Sequence, residues 1–137
     1  MTAKEYLSQS RTLNKLIKDH LAMIENLKQM EQSIPGPNYD TELVDHTRSY
    51  EAPFLKFLLK RIDLEKQVEV EKENLVDLQS EVASVIASVK NPLYQSVLSL
   101  RYIACKTWQE VAFDLDCSLD NVYRVHRNAL KEVKIPE

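Results

Sequence analysis

Residues 52–90 read APFLKFLLKRIDLEKQVEVEKENLVDLQSEVASVIASVK. After Pro53 neither glycine nor proline interrupts them, so nothing in the stretch breaks a helix. Proline suits only the first turn of a helix, which predicts a start near Ala52. At 1.5 Å per residue the helix would run for roughly 50 Å or more, longer than a compact domain. Val68, Leu75, Val82 and Val89 are separated by sevens, and Leu64, Leu78 and Val85 hold the companion positions, with Glu71 breaking that second series. This is a heptad seam, which needs a second helix against it.

The partner lies upstream. Thr2 and Glu5 form a capping box that opens a helix at the N-terminus. Leu13, Leu16, His20, Met23, Leu27 and Met30 then step by three and four, with Ile17 and Ile24 widening the stripe. His20 is a polar interruption expected to be partly buried and to help set register. Ser33-Ile34-Pro35-Gly36-Pro37-Asn38 ends this helix, because two prolines remove donors and the chain's one glycine relaxes the backbone between them. Residues 38–52, with Tyr39, Leu43, Val44 and Tyr50, read as either a short helix or an ordered loop. The expected unit is a long antiparallel helical hairpin over residues 1–90 with its linker at 33–41. A first helix of about 30 residues is too short to cover one of nearly 40, so Leu64, Val68, Leu75, Leu78, Val82 and Val85 are expected to meet a second copy of the chain, giving a homodimer or higher oligomer.

Composition narrows the function classes. A chain of 137 residues, 44% hydrophobic and 28% charged, is one ordinary domain or two very small ones. One glycine beside five prolines argues against a glycine-rich nucleotide loop and for an all-α fold. The net charge of −3 hides a split, since residues 91–137 hold six basic and six acidic side chains. Within them Arg124, Arg127, Lys131 and Lys134 stand against only Glu132 over 121–134, with His126 added. The longest run without Asp, Glu, Lys or Arg, Asn91–Leu100, is far short of the roughly 20 apolar residues that span a bilayer. With an N-terminus that resembles no signal peptide, the expectation is a cytoplasmic protein of a bacterial host cell, off the membrane. Cys105 and Cys117 fit as free thiols, and their spacing to each other and to His126 does not make a zinc site.

Asn91-Pro92 stops the long helix and starts another, because the residue before proline avoids helical angles while proline suits a first turn. Leu93, Val97, Leu98, Leu100, Tyr102 and Ile103 form a short apolar helix. Thr107 and Glu110 make a second capping box ahead of Trp108, Val111, Ala112 and Leu115. Ser118 caps a last helix with Val122, Val125, Ala129, Leu130 and Val133 inward. Trp108 is expected as a core anchor. Two helices joined by a tight turn read as a helix-turn-helix over residues 91–137.

The sequence TWQEVAFDLDCSLDNVYRVHRNALKEV, residues 107–133, resembles region 4 of sigma-70-type factors without a gap over 27 residues. The resemblance puts Thr107 and Ser118 on the two caps, Val111 and Ala112 on the packed pair, and Val122, Val125 and Leu130 on the buried face; residues 98–102 fit the preceding helix. Asp116 replaces the usual turn glycine, and Asp can enter the left-handed region at modest cost. Leu119, Asp120 and Asn121 stand where region 4 carries Arg, Glu, Arg. As a whole the chain resembles the small phage and prophage proteins of Gram-positive bacteria related to the RinA/ArpU-type late transcription regulators.

The resemblance implies a DNA-binding regulator of a phage late or packaging operon, reading double-stranded DNA with the helix 118–133. The expected interface residues are Leu119, Asp120, Asn121, Tyr123, Arg124, Arg127, Asn128 and Lys131. Asn121, Tyr123 and Arg124 would face bases or sugars, and Arg127 and Lys131 phosphates. No convergent set of nucleophile, base or metal ligands is legible, so neither catalysis nor a cofactor nor a small-molecule substrate is expected. Two alternatives are a module that binds RNA polymerase or a sigma factor, and a packaging protein like a terminase small subunit, whose DNA-binding unit comes first rather than last.

Overall fold

The structure, a computed structural model, describes residues 1–33 and 44–136, with side chains for 1–33 and 53–136. Of the expected linker at 33–41, Ser33 ends α1 and the rest lies outside the described residues. All regular structure among the described residues is helical: α1 Ala3–Ser33, α2 Val44–Ala87, α3 Pro92–Leu98, a π-helical turn Ser99–Ile103, α4 Trp108–Asp114 and α5 Leu119–Glu132. The architecture is a long α1–α2 hairpin followed by three short helices packed together, as the periodicity predicts.

Local chemistry accounts for most of the boundaries. Thr2 Oγ1 accepts from the Glu5 amide at 3.2 Å while Glu5 returns a carboxylate oxygen to the Thr2 amide, closing the capping box that starts α1. Asn91 Oδ1 accepts from the Leu93 amide at 2.9 Å with Pro92 in the first turn of α3. Thr107 and Glu110 cap α4 reciprocally, and Ser118 Oγ accepts from the Asn121 amide to start α5. The expected start of α2 near Ala52 is corrected: α2 begins at Val44 and Pro53 lies inside it. Proline's fixed φ is itself helical, so an interior proline removes one donor and crowds one carbonyl without forbidding the turn.

Two compact units result, Met1–Lys15 with Glu73–Glu137, and Leu16–Lys72. In the second, His20 Nδ1 lies 2.9 Å from Glu71 Oε2, whose other oxygen accepts from Gln67 Nε2 at 3.1 Å. Glu31 accepts from Arg61 Nε at 2.7 Å. As α1 advances eleven residues from His20 to Glu31, α2 retreats ten from Glu71 to Arg61, which defines an antiparallel register. The polar residues that interrupt the two apolar stripes are therefore partners.

The inward face of α1 is rotated from the expected stripe. Ile17 and Ile24, read as its flank, are buried, while Leu16, Met23 and Met30 are exposed. Both sets are spaced by sevens and sit one residue apart, so periodicity alone does not choose between them.

The seam on α2 is partly covered within the chain. Val68, Val82 and Val85 are buried, and Leu64, Leu75 and Leu78 are half-buried. Val68, Val82 and Val85 are thus covered within one chain, while Leu64, Leu75 and Leu78 keep part of their surface for the second copy expected there. The physical reason is where the surplus of α2 falls: Glu31, two residues before α1 ends, already pairs with Arg61, so the extra length lies N-terminal to the seam, where Phe54, Leu55 and Leu59 are exposed.

In the first unit, Tyr6 and Leu7 of α1 and Val82, Val85, Ile86 and Val89 of the α2 end share one core with Leu98, Tyr102 and Ala129. Ser10, fully buried, donates to the Tyr102 carbonyl at 2.9 Å. A smaller core of Val111, Ala112 and Val122 sits between α4 and α5, edged by Leu100, Trp108, Leu115, Cys117 and Leu119.

Candidate nucleic-acid interface

The turn between α4 and α5 determines how α5 is presented. Asp116 adopts φ 52°, the left-handed conformation expected of it in place of glycine. The Cys117 amide donates back to Ala112 at 3.1 Å and the Asp116 amide to Phe113 at 3.2 Å, so the carbonyls that end α4 are satisfied locally. The chain then enters α5 at Leu119, capped by Ser118, a few residues after α4 ends. Cys105, the other left-handed residue among those described, closes the π-helical turn with φ 58°. Cys105 and Cys117 are free thiols and half-buried.

α5 is strongly two-sided. Val122, Val125, His126 and Ala129 are buried, whereas Asp120, Tyr123, Arg124, Arg127, Asn128 and Lys131 are exposed. Two of the eight expected interface residues are placed differently. Leu119 is half-buried and packs against the Val111–Ala112–Val122 core, which a leucine facing water in the first turn of α5 would leave open. Asn121 is half-buried, and its Oδ1 accepts from Arg124 Nη2 at 2.6 Å, holding that guanidinium across the face. The outward surface combines three cations, two carboxylates at Asp120 and Glu132, an amide and a phenol.

His126 reads with the basic residues in sequence, and the structure sets it apart from them. It is buried, with Nε2 2.6 Å from the Tyr102 hydroxyl. Burial first, then the positive charges of Lys4 and Arg101, lower its pKa to about 4, so it is neutral near pH 7. Burial likewise raises the Tyr102 phenol, keeping the pair uncharged. Its neighbour Trp108 meets His126 edge-on at 4.6 Å and Tyr123 edge-on at 5.4 Å between ring centroids. Arg101 lies 4.1 Å over the Trp108 ring and donates to the Lys106 carbonyl at 3.0 Å. Trp108 thus joins the small core, as expected, and also links Arg101 to the exposed margin of α5. Sequence reasoning missed Arg101, which stands between Leu100 and Tyr102, and placed His126, beside Val125 and Arg127, with the basic residues instead of in the core. The signal available was a tyrosine, a tryptophan and a histidine spread over a small head whose polar atoms need partners.

No described helix is long and apolar enough to cross a membrane. Residues 56–134, more than half of the chain, match the family described as Protein of unknown function (DUF1492), so the match takes in most of α2 and all three short helices. No curated protein and no solved structure matches the chain.

Proposed function

We propose that this chain, which belongs to the DUF1492 family, is a DNA-binding transcriptional regulator of the phage and prophage type related to RinA/ArpU regulators, acting on a late or packaging operon. The carrying observation is the outward face of α5, where Arg124, Arg127 and Lys131 stand exposed on a helix launched by a tight capped turn and backed by buried Val122, Val125 and Ala129. Such a helix fits the major groove, with Arg127 and Lys131 on phosphates and Asn121, Tyr123 and Arg124 toward base edges or sugars. Leu119 supports the helix from behind, and Asp120 and Asn128 complete its polar surface. The reading is of a non-catalytic protein without cofactor or small-molecule substrate. Pairing of two chains, the common route to affinity for this motif, belongs to the proposal, with Leu64, Leu75 and Leu78 of the α2 seam only half-buried in the single chain.

The test is binding to duplex DNA as a function of salt. Arg127→Ala and Lys131→Ala should weaken binding to all sequences alike and each lower the salt slope by about one unit. Asn121→Ala should relax discrimination by about 1–3 kcal/mol at one base pair, because it also releases Arg124. Selection from a random DNA pool that enriches no sequence, with Arg127→Ala leaving nonspecific binding intact, would sink the reading. A specific observation then favours the second one: Phe113 on α4 is 85% exposed, an apolar side chain suited to a contact with RNA polymerase or a sigma factor, and such a contact would weaken little with salt.

A further inference from the structure

Lys4, Ser8, Arg11, Thr12 and Lys15 follow one another on α1 at steps that place them on one face. With Arg101, Tyr102 and Trp108 they line a cavity of about 390 Å³, all within the first compact unit. Among the described residues no carboxylate lines it, and none of Lys4, Arg11, Lys15 and Arg101 is in an ion pair. Arg11 and Lys15 are like charges four apart, an arrangement that destabilises a helix unless something compensates it. Arg11 Nε is buried without a hydrogen-bond partner among the described residues, and an unmet donor of this kind is costly. The Arg101 guanidinium is drawn below its usual range by burial and then by the charge of Arg11. An unmet donor and uncompensated positive charge at one cavity both call for an anion.

We propose that this cavity seats a phosphate group. The guanidinium groups of Arg11 and Arg101 and the ammonium groups of Lys4 and Lys15 supply the charge, and the Ser8 and Thr12 hydroxyls supply further donors. Four cations suit the several oxygens and double charge of a phosphate better than a single carboxylate. Trp108 is a wall of the site rather than a stacking platform, because Arg101 covers one face of the ring and Tyr123 and His126 meet it edge-on. The phosphate has two possible sources. One is the backbone of DNA held on α5, whose exposed Tyr123 adjoins Trp108; this assignment rests on the function proposed above. The other is a free phosphate ester.

Trp108 is the only tryptophan of the chain, so its indole N–H resonance reports the cavity directly. Inorganic phosphate, compared with chloride at equal ionic strength, should shift that resonance saturably, and Arg11→Gln should weaken the effect by about tenfold, the scale of one charge-assisted hydrogen bond. Lys15→Gln, at an exposed position, serves as the variant least able to disturb folding. In the second arm, random-sequence duplex is titrated against salt: a slope lowered by about two in the Arg11→Gln, Lys15→Gln double variant assigns the site to DNA phosphate. An unchanged slope beside a saturable phosphate shift assigns it to a free phosphate ester. If phosphate gives no saturable shift and the slope is also unchanged in folded protein, the proposal is overturned. Phosphate binding without any duplex binding would leave the cavity site standing and remove the α5 reading; duplex binding that depends on Arg127 and Lys131 with both cavity readouts silent would do the reverse.

Discussion

His126 shows how far surroundings can carry a side chain from its sequence appearance. Above about pH 6.5 it is neutral in both the folded and unfolded chain. Below that the unfolded chain takes up a proton that the folded chain refuses until about pH 4, so acidification favours unfolding across this window. The full effect is about 3 kcal/mol. Denaturant titrations at pH 7 and pH 4.5 should therefore show a loss of stability that His126→Gln largely removes. Trp108→Ala should loosen the head by about 3 kcal/mol, since the ring closes the small core and holds Arg101. Unchanged near-UV dichroism of the tyrosines in that variant would contradict the placement. At Asp116, where φ is 52°, glycine should be more stable than alanine by about 1 kcal/mol, measurable by thermal unfolding. That left-handed turn was legible because Asp tolerates the region and stands where a glycine is usual; the neutral His126 was not, because Tyr102 reaches it from 24 residues away.

Among the elements, α1 and α2 separate what periodicity says from what it leaves open. Heptad spacing on both helices predicts an antiparallel pair, and the pair is there. The choice between Leu16, Met23 and Met30 and the adjacent Ile17 and Ile24 is made by packing against α2, since both series repeat with the same period. The same packing buries Val68, Val82 and Val85 of the α2 seam and leaves Leu64, Leu75 and Leu78 half-buried. Val82→Ala is accordingly expected to destabilise the chain itself by about 2 kcal/mol, with no change of mass in sedimentation. A variant that dissociates an oligomer while keeping its unfolding midpoint would show that the seam faces a second copy after all. α5 is the opposite case: its polar and apolar faces follow from the positions of Val122, Val125 and Ala129, and only Leu119 and Asn121 depart from the outward placement expected of them.

For the whole molecule, the residues after 90 read as a separate helix-turn-helix, yet the larger core joins Leu98, Tyr102 and Ala129 to Tyr6, Leu7, Val82, Val85, Ile86 and Val89. A fragment of residues 91–137 should therefore lack the dispersed amide resonances of the full chain, since half of that core is missing; a well-dispersed spectrum would make the head an independent domain. What the sequence alone determined here is local: helical class, the capping boxes at Thr2 and Thr107, the break at Asn91-Pro92, the turn at Asp116 and the two-sided α5. Each rests on groups within about four residues of one another, whose hydrogen bonds and sterics are readable in order along the chain. Tertiary structure decided which heptad series of α1 faces inward, that His20 meets Glu71, that His126 is neutral, and that Lys4, Arg11 and Lys15 come to share a cavity with Arg101. Those outcomes depend on burial and charge contributed by residues at least 24 positions apart, and no local pattern carries that information.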